Sequence, residues 1–470
     1  MPFHGKAFMF KKFIGDKQFY KTVLAVAVPI MIQNGITNFV ALLDNIMVGQ
    51  IGTEQMSGTA IANQILFVFN LCIFGILSGP GIYGAQFFGK GSHEGVRQTF
   101  RFKLYASIIT LAAGIFILTF FGEPLVSSYL TGSGEEGDKA LTLKSGMEYL
   151  QVMIVGLIPF TVTQMYSSTL RETNRTIPPM LAGMAAVLTN LFLDWVLIFG
   201  KLGAPEMGVK GAAVATVISR FIECGIVVVW THLNSGTNQF IKGAYGKVHI
   251  PGQLVKSIII KGLPLAANEA LWSSGMATLN QCYSRRGLEV VAASNISSTI
   301  GNIFNVIFIA LGSTVGIIVG QILGSGDMKK AKETDTKLIF FTVAAGAVTG
   351  GAMALFSGVF PNFYNTTDSV RQLAAVFITV SGCIMPMHAF IHASYFTMRS
   401  GGRTFITFLF DSAFMWAVMI PTALALVTFT ELDIIPLYII CQLVDIIKVI
   451  VAVILLKKGI WLKNIVTEKS

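Results

Sequence analysis

Apolar runs long enough to cross a lipid bilayer recur along the whole chain, and few folds accept such a sequence. They fall at 22–48, 56–85, 102–123, 145–168, 176–200 and 210–232, then at 256–283, 291–322, 336–358, 372–397, 404–428 and 434–456, twelve in all. A helix spans about 30 Å of hydrocarbon with about 20 residues. Within lipid each backbone N–H and C=O must find its partner inside the spanning structure, so runs of this length are read as helices. Only 12% of the residues are charged and 53% are hydrophobic, against roughly 25% charged in a soluble domain, which excludes a water-soluble fold. The 47 glycines and 36 phenylalanines suit helices packed through small residues with aromatic side chains toward lipid. Pro29, Pro80, Pro159, Pro264, Pro386 and Pro421 lie inside runs and imply kinks or broken turns.

The formal charge of +10 is scattered among short loops, which argues against nucleic acid as a partner. Topology accounts for it. The start to Lys21, the loops at 90–103, 171–175, 233–261, 329–337 and 399–403, and the C-terminal tail hold 25 Lys and Arg, whereas the intervening loops hold seven. The positive-inside rule then places both termini and the central linker in the cytoplasm. The lysine-rich start shows no small-residue cleavage site, so the first run is read as a retained helix. Cys72, Cys224, Cys282, Cys383 and Cys441 lie in apolar runs without metal-ligand spacing and are read as reduced core residues.

Sliding the chain along itself by 235 residues reveals an internal repeat. Residues 29–99 align without a gap on 264–334 with about fifteen identities, among them Pro29 with Pro264, Glu54 with Glu289, Asn70 with Asn305, Gln86 with Gln321 and Gly89 with Gly324. LRETNRT at 170–176 echoes MRSGGRT at 398–404. Six spans per half make the copies parallel, related by an axis along the membrane normal. The expected fold is thus all-α and integral to the membrane, with twelve transmembrane helices in two pseudo-symmetric six-helix bundles. Its parts are a cytoplasmic tail 1–20, an N-lobe 21–232, a linker 233–253, a C-lobe 254–456 and a tail 457–470. Two such lobes around a midplane site are the architecture of alternating access, so a transporter is expected.

Charges deep in hydrocarbon cost about 2.5–3.5 kcal/mol each on insertion scales and ask for a partner or a task. Asp445 with Lys448, and Arg220 with Glu223, are three apart on one face and are read as pairs that neutralise themselves locally. Asp44 has no base within a turn. Asn190 and Asp194, four apart, project from one face of the fifth run. Two acids and an amide suit a proton or a small cation, although both acids also fit the wetted ends of their helices. Glu269, five residues after Pro264, has the neutral Asn34 as its repeat partner and should face a cavity, protonated or bound. His388 and His392 share a face and can titrate near neutrality, while Asp411 has Arg403 or Arg399 within reach. HAFIH lacks the glutamate of HExxH, which disfavours a metalloenzyme. No P-loop and no nucleophile elbow occur, so no enzyme activity and no cofactor are expected, and an ion gradient should supply the energy.

PIMIQNGITNFVALLDNIMVGQIG, GAQFFGKG, VGQILGSG, LRETNRT, NLFLDWVLIFGKLGAPEMGVKGAAVAT and GLPLAANEALWSSG resemble the multidrug and toxic compound extrusion family from about Lys21 to Trp461. The resemblance implies a V-shaped pair of lobes and a monomer in a bacterial-type plasma membrane. It implies export of organic, often cationic or amphipathic compounds against inward H⁺ or Na⁺. It also implies an N-lobe ion-coupling site of Asp44, Asn190, Asp194 and Thr216, which would also be the site for any Na⁺, with Pro29 as the bend of the first helix. In the C-lobe it matches Glu269 to a coupling or substrate role, and Asp411, read from its own place near the start of the eleventh run, and His388 are counted with it. The family's tenth-helix acid, counted back from Arg399, falls on His388, a departure that favours protons over sodium. A lipid-linked saccharide flippase shares the two-lobed architecture but calls for more intramembrane bases than Arg220 and Lys448 supply.

Overall fold

The computed structural model describes residues 13–130, 136–246, 249–364 and 366–467, without the side chains of 40–46, 136–138 and 288. The described residues form helices and loops, with no strand. In chain order the long helices are α1 (Lys17–Gly49), α2 (Thr53–Gly89), α3 (His93–Ser128), α4 (Glu136–Glu172), α5 (Ile177–Ile198) and α6 (Gly208–Leu233). After the linker come α7 (Gly252–Ser284), α8 (Leu288–Ser325), α9 (Met328–Leu355), α10 (Asp368–Ser400), α11 (Thr404–Phe429) and α12 (Ile434–Lys458). Each matches one apolar run of the sequence to within several residues at its ends.

Eleven of these are long and apolar enough to cross a membrane. The twelfth, α7, has 33 residues and its apolar character is diluted by Lys256, Lys261, Asn268, Glu269, Asn280 and Gln281. Large apolar side chains left mostly uncovered by protein, such as Ile109, Phe120, Leu188, Phe192 and Val348, are where hydrocarbon replaces a protein core. Cys72 and Cys383 are exposed rather than core residues, and only Cys282 and Cys441 are buried. Position in an apolar run does not say which side of a helix faces its neighbours.

The chain divides into two compact units, one of Met1–Met31, Ala85–Ser92 and Lys256–Ser470, the other of Ile32–Gly84 and His93–Val255. These boundaries differ from the lobe limits expected from the repeat. Val23 and Ala27 of α1 belong to the same core as Leu311, Val315 and Val319 of α8 and Trp461. In that unit the ends of α2 and α8 cross. A Cβ at Gly89 would strike the Gln321 carbonyl, and one at Gly324 would strike that of Gln86. The repeat-related pairs Gly89 with Gly324 and Gln86 with Gln321 therefore make the same contact twice, which explains why glycine and glutamine stand in register in both copies.

The C-terminal segment docks in the same unit. Gln86 Nε2 donates to the Ser400 carbonyl (2.9 Å) and the Lys463 carbonyl (3.2 Å), and its Oε1 accepts from the Ile465 N–H (2.9 Å). In the other unit, linker residues Phe240, Ile241 and Ala244 are buried. Arg101 of α3 donates to the carbonyls of Ala244 (2.9 Å) and Gly243 (2.7 Å), so this stretch is a packed element despite its polar composition.

Candidate functional site

Two polar clusters stand inside the helices, one in each unit. In the first, α5 and α6 are joined by a turn whose left-handed positions include Gly200, Gly203 and Gly208. Gly211, Ala212, Ala213 and Ala215, all buried, let α6 approach α5 closely. A Cβ at Gly211 would meet the Leu197 carbonyl. Asn190 Nδ2 is thereby brought to Thr216 Oγ1 (3.4 Å), and the Thr216 hydroxyl donates to the Ala212 carbonyl (3.0 Å). Asp194, one turn on, is 1% exposed. Burial at this level removes the reading of Asp194 as a wetted helix end. Asp44 lies on α1, but its side chain is among those outside the described residues. Four residues past Pro29, Gln33 Oε1 accepts from Arg171 of α4 (2.6 Å).

The second cluster is built from α7, α10, α11 and α12. Asn268 Nδ2 donates to Asp411 Oδ2 (3.0 Å), while Asn268 Oδ1 accepts from the Ser412 hydroxyl (2.7 Å). Lys448 Nζ stands 3.8 Å from Asp411 and 3.3 Å from Asp445, and 5.0 Å from the centre of the Phe414 ring. Asp445 Oδ2 in turn lies 3.5 Å from His388 Nε2. The backbone departs from regular helix where the acids sit. Asp411 is in a π-helical stretch, Leu409–Ala413, followed by a second at Met415–Met419. Asp445 sits at the break between Ile434–Leu443 and Ile446–Lys458 of α12. π-helical turns are frequent at functional sites, and broken helices are how transporters place ion-binding groups in the membrane.

Several sequence expectations change here. Asp411 takes Lys448 and Asn268 as partners, while Arg403 donates to the Ile460 carbonyl (2.8 Å) and Arg399 lies over the Phe396 ring. The Lys448–Asp445 pair exists but is no isolated pair, since it bridges Asp411 to His388. Arg220 and Glu223 form no ion pair among the described residues. Arg220 donates to the Gly156 carbonyl (3.4 Å) and stacks over Phe160 instead. His388 and His392 share a face but not an environment, because His392 is ringed by Phe308, Tyr395 and Phe396. Glu269 is half-buried beside Asn268, and Arg399 and Asp411 are the charges that act on it.

Sequence reasoning missed two buried acids. Lys103 and Glu172 form an ion pair (2.7 and 2.8 Å), and Lys103 also donates to Ser168 and Thr169. Asp335, 3% exposed, accepts from the Thr397 hydroxyl (2.5 Å). These residues stand near the ends of apolar runs, where the sequence reads as loop. The echo of Thr169 and Thr397 in the two copies was the available signal.

The profile of the MatE family matches residues 29–196 and 264–429, one match in each half. Among relatives, a probable multidrug resistance protein NorM of Thermotoga maritima is 23% identical over 88% of this chain and 86% of its own length. A protein of the same description from Halalkalibacterium halodurans is 25% identical over 88% of each. Among solved structures, a mutant of the Vibrio cholerae MATE transporter VcmN superposes with a TM-score of 0.84 at 17% identity, covering 95% of this chain and 98% of that one. The outward-facing form of a multidrug resistance MATE family transporter gives 0.82 at 17% identity, over 96% and 98%.

Proposed function

We propose that this chain, which belongs to the MatE family, is a secondary active multidrug efflux transporter of the plasma membrane that exchanges organic, often cationic or amphipathic compounds for inward protons. The observation that carries the reading is Asp194, enclosed between α5 and α6 beside the Asn190–Thr216 pair. An ionised carboxylate is costly there without a cation. It is a place where a charge is either neutralised by a proton or held against a positive group.

The proposed cycle follows from that alternative. In the outward-facing state the acids take up protons, with Asp44 joining Asp194 through the family resemblance. Loss of their negative charge weakens the hold on a cationic substrate, which leaves. The carrier resets with its acids neutral, gives the protons to the cytoplasm and binds substrate again. Pro29 has no N–H to give to the ladder of α1, so the helix can bend there at low cost. His388, where a carboxylate would serve sodium, supports protons as the coupling ion. The relatives named for multidrug resistance support the substrate class. The N-lobe and C-lobe, the linker between them, the cytoplasmic termini and action as a monomer belong to the same proposal.

Efflux of ethidium from cells lacking other exporters tests it. Asp194→Asn and Asp44→Asn should each abolish gradient-driven efflux at unchanged membrane abundance, and Thr216→Ala should weaken it. Efflux at the parental rate in both aspartate variants contradicts the reading.

A further inference from the structure

The cluster on α10, α11 and α12 holds a lysine where a free cation would otherwise sit. Lys448 lies fourteen residues into α12, near its middle, and stands between Asp411 and Asp445. Its side chain is 6% exposed and that of Asp445 is 10%, whereas His388 and Asp411 are 34% and 24% exposed. The ammonium is thus fixed behind the acids, and the accessible edge of the cluster is formed by His388 and Asp411. Asp445 Oδ1 is buried and accepts no hydrogen bond, with Lys448 facing it outside hydrogen-bond geometry.

The charges do not balance. The groups in mutual contact here are Asp445 and Lys448 of α12, Asp411 of α11 and His388 of α10, while Glu269 of α7 and Arg399 of α10, the further charges that act near Asp411, are one of each sign and cancel in the count. Two carboxylates oppose one permanent cation, so with a neutral imidazole one negative charge is left over. In a low-dielectric setting that excess calls for one positive charge and gives no return for a second. We propose that Lys448 is a tethered counter-ion that sets the capacity of this site to a single positive charge. The occupant is one proton or the head of one organic monocation. Dications are disfavoured because Lys448 already holds the place their second charge would need. This inference rests on the transport reading given above and adds the valence of the substrate and the residue that selects it.

The test uses the full-length protein in lipid nanodiscs and two probes, tetraphenylphosphonium as a monocation and methyl viologen as a dication, with proton release followed in weakly buffered solution. The wild type should bind tetraphenylphosphonium more tightly and release protons on binding it. Lys448→Met keeps the apolar stem and removes the charge. It should shift the affinity ratio of dication to monocation upward by roughly tenfold or more, as expected for one unit charge at these distances and an effective dielectric constant of about 20. Asp445→Asn should weaken binding of tetraphenylphosphonium by a similar factor. The double variant Lys448→Met/Asp445→Asn restores the charge count and should return the ratio to within about threefold of the wild type, a return that lost packing alone would not produce. Should Lys448→Met fail to fold alone, Lys448→Met/Asp445→Asn is compared with Asp445→Asn, over which it should raise the affinity ratio of dication to monocation by roughly tenfold. A probe ratio unchanged on removal of Lys448, in the wild-type or the Asp445→Asn background, overturns the inference while leaving the transport reading intact. Absence of binding and efflux of both probes in the wild type overturns both.

Discussion

Lys103 is the most completely enclosed charge among the described residues, and removing it has a predictable cost. Its side chain is 0% exposed and that of Glu172 is 9%. The ammonium meets both carboxylate oxygens at 2.7 and 2.8 Å and two hydroxyls at 2.9 and 3.1 Å. Such short charge-assisted bonds are about twice as strong as neutral ones. Lys103→Met preserves most of the volume but leaves Glu172 buried without its counter-ion, and breaking a buried pair from one side costs about 3–5 kcal/mol. Glu172→Gln in the same protein removes the buried charge, so the double variant should lie only about 1–2 kcal/mol below the wild type, the net worth of the bonds lost. Equilibrium unfolding in mixed micelles measures all three proteins. If Lys103→Met is as stable as the wild type, or the double variant is no better than the single, the pair is not the buried ionic link described.

Two further outcomes follow from the packing. Gly324→Val places a branched side chain against the Gln86 carbonyl at the crossing of α2 and α8, and thermal denaturation should show a clear loss of stability, matched by Gly89→Val because the contact is duplicated. Gln86→Ala strips the Ile465 N–H of its acceptor and two carbonyls of their donor, at roughly 1–3 kcal/mol for a buried group left unsatisfied, so hydrogen exchange across 459–467 should accelerate while α5 and α6 stay protected.

How much of this was legible in the sequence depends on the distance over which each feature is encoded. Helices α1 to α12 were visible because each spanning helix carries its own apolar run, and the two-copy pattern was visible because Gln86 and Gln321 stand in one register. Asn190 and Asp194 were readable as neighbours since four residues make one helical turn. Lys448 and Asp411 are 37 residues apart on different helices, and no periodicity links them. The π-helical stretch around Asp411 carries no proline or glycine to announce it. Local spacing also misled, as with Arg220 and Glu223, where a Phe160 ring and the Gly156 carbonyl on another helix attract the guanidinium. Lys103 and Glu172 were hidden for the opposite reason: residues at the ends of apolar runs look solvated until the fold encloses them.

The central claim is that buried carboxylates exchange a proton for a substrate's positive charge. Purified protein in liposomes, loaded with ethidium and given separately imposed proton and sodium gradients, tests it most directly. The account predicts uphill ethidium movement driven by the proton gradient, opposite in direction to proton flow, indifferent to sodium and lost in Asp194→Asn. Movement that ignores the proton gradient, or that survives in Asp194→Asn at the wild-type rate, would contradict it.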